Sequence, residues 1–335
     1  MKYVRRGLAI AGLIVVVLVA VGSVYVWRRW DAVWNIPLPD VHASSDPAVI
    51  ARGEYLAMGP SHCIYCHAES EAEAVRALET GERVPLRGGQ RFADATLGEL
   101  YAKNLTPDTE TGIGRYSDGQ IARMLRYAVK PDGRSTLQSL MPYGDMSDED
   151  LTAIISFLRT QPPVRNVIPP VRLTTIGKVV KSFAPAFQPR RVEGVRAASP
   201  PQAPTRERGE YLVRAVGNCG GCHTPYNPLT FAPTGPALSG GNDVAPARLP
   251  GVDRTLWFKP PNLTPAEGSA FSKFPDRATF VARVQRGGRH YPGSPMPWES
   301  MSRLTTEDAG AIYEYLRTLT PVPGRTGEPT FRKES

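Results

Sequence analysis

Cysteine and histidine are scarce in this 335-residue chain, at four and five residues. So few cysteines exclude a disulfide-dense scaffold. Charged residues make up only 21% against 41% hydrophobic, a balance that excludes wholesale disorder. No second apolar run of membrane-spanning length comes after the first, and no sustained alternation marks a strand. The expected layout is one anchor carrying an exported, helical body. Glycine and proline are plentiful instead, 31 and 33 residues. That is about a fifth of the chain, where roughly 12% is ordinary, and it implies long, shaped loops. The length suits two domains better than one.

Between Arg6 and Arg28, the 21 residues from Gly7 to Trp27 carry no charge. As a helix they cover about 30 Å, the thickness of a bilayer's hydrocarbon core. Lys2, Arg5 and Arg6 favour a cytoplasmic stretch 1–6, although Arg28 and Arg29 blur the bias. Tyr3 on one side and Trp27, Trp30 and Trp34 on the other suit the two interfaces. Ala20 and Gly22 are spaced for a signal peptidase, yet the apolar run continues through Val24 and Val26. A retained span over 7–27 is therefore preferred to a cleaved signal, and either one exports the body of the chain.

The body repeats itself. Arg52-Gly53-Glu54-Tyr55-Leu56 returns as Arg208-Gly209-Glu210-Tyr211-Leu212, and in both cases a Cys-x-x-Cys-His begins 11 residues after the arginine. The motifs are Cys63, Cys66, His67 and Cys219, Cys222, His223. Asn104-Leu105-Thr106-Pro107 is echoed by Asn262-Leu263-Thr264-Pro265, and Met141-Pro142-Tyr143 by Met296-Pro297-Trp298. The histidine-to-methionine separations are 74 and 73 residues. With the closing Phe157-Leu158-Arg159-Thr160 and Tyr315-Leu316-Arg317-Thr318, five ordered matches at preserved intervals mark a tandem pair of related domains. The expected division is a cytoplasmic start 1–6, anchor 7–27, post-anchor linker 28–44, first domain 45–160, linker 161–207, second domain 208–322 and tail 323–335.

Residues 161–207 hold nine prolines and little apolar periodicity, the composition of a linker or wrapping loop. Formal charge is +3 for residues 1–40, −5 for 41–160, +6 for 161–207 and +4 for 208–335. Such a dipole can steer protein partners, and the acidic half makes nucleic acid an unexpected one. Helix signals are clear. Asp46 with Pro47 starts one helix, and Ser117 caps Asp118–Lys130, which buries Ile121, Leu125 and Ala128. Ser147-Asp148-Glu149-Asp150 resembles a capping box before Leu151, Ile154, Ile155 and Leu158, and Thr305-Thr306-Glu307-Asp308 repeats it before Ile312, Tyr315, Leu316 and Leu319.

In Cys-x-x-Cys-His, two thiols three residues apart can add to the vinyl groups of a haem while the next imidazole faces its iron. Zinc would need a further Cys or His pair, and no cysteine is left over. Thiol–disulfide exchange would need a βαβ setting that is absent. Two covalently attached haems are expected. The sixth ligand needs a soft sulfur or a second imidazole. Met141 and Met296 are favoured because the next residue, proline, fixes the sulfur's approach, with the corresponding pair Met146 and Met301 as the alternative. His62 is too close to its own motif to reach the opposite face. His290 has Ser135 at its equivalent position, and His42 has no evident partner.

With these motifs, and with Thr111-Gly112-Ile113-Gly114 and Asp132-Gly133-Arg134, residues 45–322 resemble class I c-type cytochromes. They are most similar to the cytochrome subunits of membrane-associated alcohol, gluconate and related sugar dehydrogenases. That family has three haem domains, where this chain has two motifs and an amino-terminal span. The resemblance implies an all-α fold of two tandem cytochrome c domains. His67 and Met141 would ligate one iron, His223 and Met296 the other. Saturated His/Met coordination leaves no open position, so electron transfer without catalysis of its own is expected. The implied protein is a membrane-anchored dihaem carrier of the bacterial inner membrane with its haems in the periplasm. Its partners would be a dehydrogenase or quinol-oxidising complex on one side and a terminal oxidase or soluble cytochrome on the other. A dihaem peroxidase is the alternative.

Overall fold

The computed structural model describes residues 2–325 and 327–333. It is mostly helical. An apolar helix α1 (Lys2–Arg29) is followed by α2 (Pro47–Met58), α3 (Ile64–His67), α4 (Glu71–Thr80), the hairpin β1 (Arg91–Asp94) and β2 (Gly98–Tyr101), α5 (Asp118–Tyr127) and α6 (Asp148–Arg159). Between the two copies of the repeat lie β3 (Arg172–Leu173) and α7 (Thr175–Phe183). The second copy contains α8 (Arg206–Tyr211), α9 (Cys219–His223), β4 (Leu256–Phe258), α10 (Arg277–Arg286), α11 (Trp298–Met301) and α12 (Thr306–Leu316), with β5 (Thr330–Arg332) after it.

At 28 residues, α1 is long and apolar enough to cross a membrane, and none of it is buried. The chain beyond it lies along the first copy. Trp34 N–H donates to Gly133 O at 2.8 Å, Arg134 Nε to Asp31 at 2.8 Å and Ala43 N–H to Asp118 at 2.8 Å. The segment expected as a post-anchor linker, 28–44, thus lies docked along the first copy.

The repeated glycine explains the main packing. In each copy the helix carrying Arg-Gly-Glu-Tyr-Leu crosses the terminal helix, α2 against α6 and α8 against α12. A Cβ on Gly53 would sit 1.8 Å from Ala153 O, and one on Gly209 1.8 Å from Ala311 O. Only glycine lets the backbones touch there. Asp46 caps α2 through Ala48 N–H at 2.8 Å, and Leu151, Ile154, Ile155 and Leu158 of α6 form the buried stripe read from their spacing.

The two copies are joined reciprocally. Arg52 pairs with Asp150 and Arg208 with Asp308, each within its own copy. The tyrosines cross over. Tyr55 Oη donates to Asp308 at 2.6 Å, and Tyr211 Oη donates to Asp150 at 2.7 Å. Leu212, Ala215, Val216 and Ala311 of the second copy also enter the apolar cluster built on Leu56, Ile64 and Leu151.

Four expectations need correction. Short strands are present: β1, β2 and β3 form an antiparallel sheet, and β4 pairs with β5. At two to four residues each, they are too short to show alternation. Helix α5 ends at Tyr127, not Lys130, because Ala128 adopts φ +55° and Val129 turns to bridge Ser135. Ser147 caps α6 through Asp150 N–H, but the Asp150 carboxylate is spent on Arg52 and Tyr211, so the reciprocal half of the box is missing. Residues 161–207 contain α7, whose stripe Ile176, Val179, Val180, Phe183 has the helical period.

Candidate haem sites

Both motifs are positioned by the same local device. After the first helix of each copy, one residue enters the left-handed region, His62 at φ +40° and Asn218 at φ +47°. This turns the chain into the short helix that carries the histidine, α3 or α9. Asparagine and histidine are among the non-glycine residues that enter that region most readily. His62 is held there by its ring, with Nδ1 3.1 Å from Pro60 O.

The motif histidines are equivalent in detail. His67 is buried and its Nδ1 lies 2.7 Å from Lys103 O; His223 is buried with Nδ1 2.9 Å from Pro261 O. A carbonyl can only accept, so Nδ1 carries the hydrogen in both rings. Burial pushes both imidazoles below their ordinary pKa, which keeps them neutral at physiological pH. Each therefore presents an Nε2 lone pair with the second nitrogen already oriented, the arrangement of a metal-ligating histidine.

A second repeated turn backs the rings. Asn104 Oδ1 accepts from Thr106 N–H at 3.0 Å and from its hydroxyl at 2.8 Å; Asn262 does the same with Thr264 at 2.8 and 2.8 Å. The amide groups tie these turns to the chain beyond each terminal helix, at Val164 O (2.8 Å) and Val322 O (3.1 Å). Leu105 and Leu263 then donate to Leu86 O and Leu238 O, both at 2.8 Å. The motif carbonyls are used too, His67 O by Gly88 and His223 O by Gly240.

Met141 and Cys63 pack against one apolar cluster, Met296 and Cys219 against the other. The alternative sulfurs lie inside those clusters: Met146 is fully buried and Met301 nearly so. Tyr143 Oη donates to Ser61 O at 2.7 Å, tying the Met141 turn to the segment entering the first motif. Arg190, which no sequence motif singles out, donates to Met141 O at 2.9 Å and Gln138 O at 2.8 Å. His290 is exposed, and His42 pairs with Asp40 at 2.9 Å.

The cysteines are free thiols, and burial pushes Cys63 and Cys219 up to about 12 and Cys66 to about 11. An exchange-active thiol requires the opposite shift. Among the described residues no three His, Cys, Asp or Glu side chains gather as a metal cluster. The donor set fits a thioether-bound haem: two neutral thiols on one turn, an oriented imidazole beside them and a thioether against the same cluster.

The two sites are neighbours. Tyr65, between the motif cysteines, donates through its hydroxyl to Glu299, three residues beyond Met296. Arg289 Nε donates to the same carboxylate at 2.9 Å, and Ser300 Oγ donates to Met58 O at 2.6 Å. No spacing rule points to the Tyr65–Glu299 contact, because the matching positions in the repeat, Gly221 and Gly144, carry no side chain.

No protein-family model matches the chain. Among individual proteins, it is 30% identical over 305 residues to the cytochrome c subunit of a quinone-type alcohol dehydrogenase from Gluconacetobacter polyoxogenes, covering 86% of this chain and 59% of that protein. It is 28% identical to the fructose dehydrogenase cytochrome subunit of Gluconobacter japonicus, covering 87% and 57%. A dihaem c-type cytochrome of Cereibacter sphaeroides is 29% identical, with 82% of this chain and 90% of the relative aligned. The chain thus spans under three-fifths of the dehydrogenase subunits but nearly all of the dihaem protein. Relatives of this kind imply covalently bound haem c. The chain's relatives are thus c-type cytochromes, the cytochrome c subunits of alcohol and fructose dehydrogenases and a dihaem cytochrome among them.

Proposed function

We propose that the chain is a membrane-anchored dihaem cytochrome c of two tandem domains, 45–160 and 208–322. It would pass electrons one at a time on the periplasmic side of the bacterial inner membrane. Its donor would be a dehydrogenase, as in its relatives, or a quinol-oxidising complex; its acceptor a terminal oxidase or soluble cytochrome. The observation that supports this best is the duplicated, buried, neutral imidazole with Nδ1 fixed to a backbone carbonyl at 2.7 and 2.9 Å and Nε2 free.

When bound, haem supplies a one-electron couple at its iron. The chain's own residues do the rest. Cys63, Cys66, Cys219 and Cys222 would hold the macrocycles as thioethers. His67 and Met141 would ligate one iron, His223 and Met296 the other. Tyr143 and Arg190 steady the Met141 turn. The Tyr–Asp crossings hold the two copies in one arrangement, and Tyr65–Glu299 holds the first motif against the turn bearing Met296.

Full-length protein purified in mild detergent provides the test. Two haems per chain that resist acidified acetone are expected, with the near-infrared band of sulfur-ligated ferric haem. One haem per chain, or absence of that band, overturns the assignment. Carbon monoxide binding to one ferrous haem without denaturant favours the peroxidase reading.

A further inference from the structure

Helix α7 is oriented the wrong way round for a soluble surface. Its small residues face the body: a Cβ on Gly177 would lie 2.3 Å from Leu97 O, and Ser182 is buried. Its large apolar residues face outward, with Ile176, Val179 and Phe183 exposed by 58%, 41% and 58%. They are spaced i, i+3, i+7 and form one stripe. An outward apolar stripe on a helix fixed at both ends needs a cover. Thr174 caps the start through Gly177 N–H at 2.8 Å, and Ala184 and Phe187 are buried just beyond the end.

The neighbouring helix α1 identifies the cover. Phe183 stacks on Tyr25 of α1, with ring centroids 4.9 Å apart. Lys178 Nζ lies 4.6 Å from the ring centroid of Trp30. Arg29 donates to Gln188 at 3.0 Å. Tyr25 lies within the uncharged run that ends at Trp27, so Phe183 sits level with the end of that run. The two pairings run in opposite senses, Phe183 meeting the earlier α1 residue and Lys178 the later one. This makes Phe183 the deepest point of the stripe. The surrounding segment 161–207 carries a formal charge of +6, complementary to anionic headgroups.

We propose that α7 is a second membrane contact, an interfacial helix that inserts Phe183, Val179 and Ile176 into the bilayer surface beside α1. The proposal rests on α1 spanning the membrane. Its consequence is that the body is held against the bilayer at a set orientation, by two contacts that are themselves packed together.

The test uses the full-length haem-loaded chain in lipid discs of phosphatidylcholine and phosphatidylglycerol. Single cysteines at Ile176→Cys, Val179→Cys and Phe183→Cys are labelled with an environment-sensitive fluorophore. Val15→Cys serves as the mid-span reference, and Glu79→Cys, on α4 packed against α3 and α11, as the body reference. The parental chain gives the background from its own cysteines. Emission is compared between discs with and without doxyl-labelled lipid, so that constant quenching by the rest of the chain cancels. The expected result is quenching at all three α7 sites, greatest at Phe183→Cys and within a factor of about two of Val15→Cys, since interfacial helices bury only their apolar face. Glu79→Cys should stay unquenched. If Val15→Cys is quenched and the α7 sites match Glu79→Cys, the proposal is overturned while the anchor stands. If Val15→Cys is not quenched, the anchor reading itself fails and takes the proposal with it. Unquenched α7 sites that are nevertheless shielded from iodide in native membranes would assign the face to a partner subunit and overturn the lipid contact.

Discussion

Replacing Arg208 with glutamine strands a carboxylate where neither partner meets solvent, whereas at Arg52 the carboxylate, Asp150, is equally buried but its arginine is partly exposed. Arg208 and Asp308 are both fully buried and share two hydrogen bonds at 2.8 and 2.9 Å. Arg52 is 24% exposed and divides its bonds between Asp150 at 2.6 Å and Ser199 at 2.8 Å. Breaking a fully buried pair costs ~3–5 kcal/mol, because the remaining charge has no partner. At Arg52 water can enter where the guanidinium was, so the loss is that of a hydrogen bond to a charged group, ~1.5–3 kcal/mol. Arg208→Gln should therefore be the costlier by about 2 kcal/mol, roughly 30-fold in the folding equilibrium. Denaturant midpoints in detergent, compared at constant slope, measure this. Adding Tyr55→Phe extends the test. Tyr55 then supplies the one remaining side-chain donor to Asp308, so its loss should cost more in the Arg208→Gln background than in the parent. An Arg52→Gln change as costly as Arg208→Gln, or additivity of Tyr55→Phe and Arg208→Gln within about 0.5 kcal/mol, would refute the idea that these groups act as one buried unit.

Gly209→Ala should destabilise the second copy by about 3 kcal/mol, since the added methyl meets Ala311 O at 1.8 Å and the helices must part; the midpoint of chemical unfolding checks it. The buried tyrosines' contribution to stability should be level between neutral pH and pH 10 and fall above it. Burial first, then the carboxylates of Asp308, Glu299 and Asp150, hold Tyr55, Tyr65 and Tyr211 protonated above their usual value. The unfolded chain releases these protons from about pH 10 while the folded one keeps them, so each tyrosine contributes a decline of up to ~1.4 kcal/mol per pH unit. Melting temperature against pH measures the slope, and Tyr55→Phe should make it shallower. Met296→His should lower the midpoint potential of one haem and leave the other unchanged in a redox titration, while Met301→Leu should move neither. Cys66→Ala should leave the first haem singly attached or lost, read as a fall in haem content with the second retained.

The repeat made much of this architecture legible. Gly53 and Gly209 recur because each crossing needs backbone contact, and the asparagine turns recur because each must tie a loop to the chain beyond the last helix. Caps at Asp46, Ser117, Ser147 and Thr305 announced their helices directly. The features that stayed hidden share one physical property: they depend on residues far apart in the chain whose spacing has no period. Tyr55 meets Asp308 across 253 positions, and Tyr65 meets Glu299 across 234. Helix α7 escaped for a different reason. Nine residues among nine prolines form too short a window, and its stripe faces away from the body it would ordinarily help to bury.

The shared and unshared residues of the two copies divide the labour of the structure. Residues present in both copies, Arg52 and Arg208, Tyr55 and Tyr211, Asp150 and Asp308, build a reciprocal joint, because a contact made by one copy to the other is returned by the equivalent residues. A joint of this kind resists sliding: displacing one copy breaks both crossings together. Residues present in one copy only, Tyr65 and Glu299, sit where the other copy has glycines, so they cannot be required by the fold each copy must adopt. They act on a single junction, between the first motif and the turn of Met296. The duplicated residues thus set the distance between the sites, and the unduplicated ones make the two sites chemically unlike. Tyr65→Phe distinguishes these roles. It should leave the joint and the haem content intact yet shift the potential of one haem relative to the other. Equal shifts in both, or none, would show that Tyr65 adds only packing.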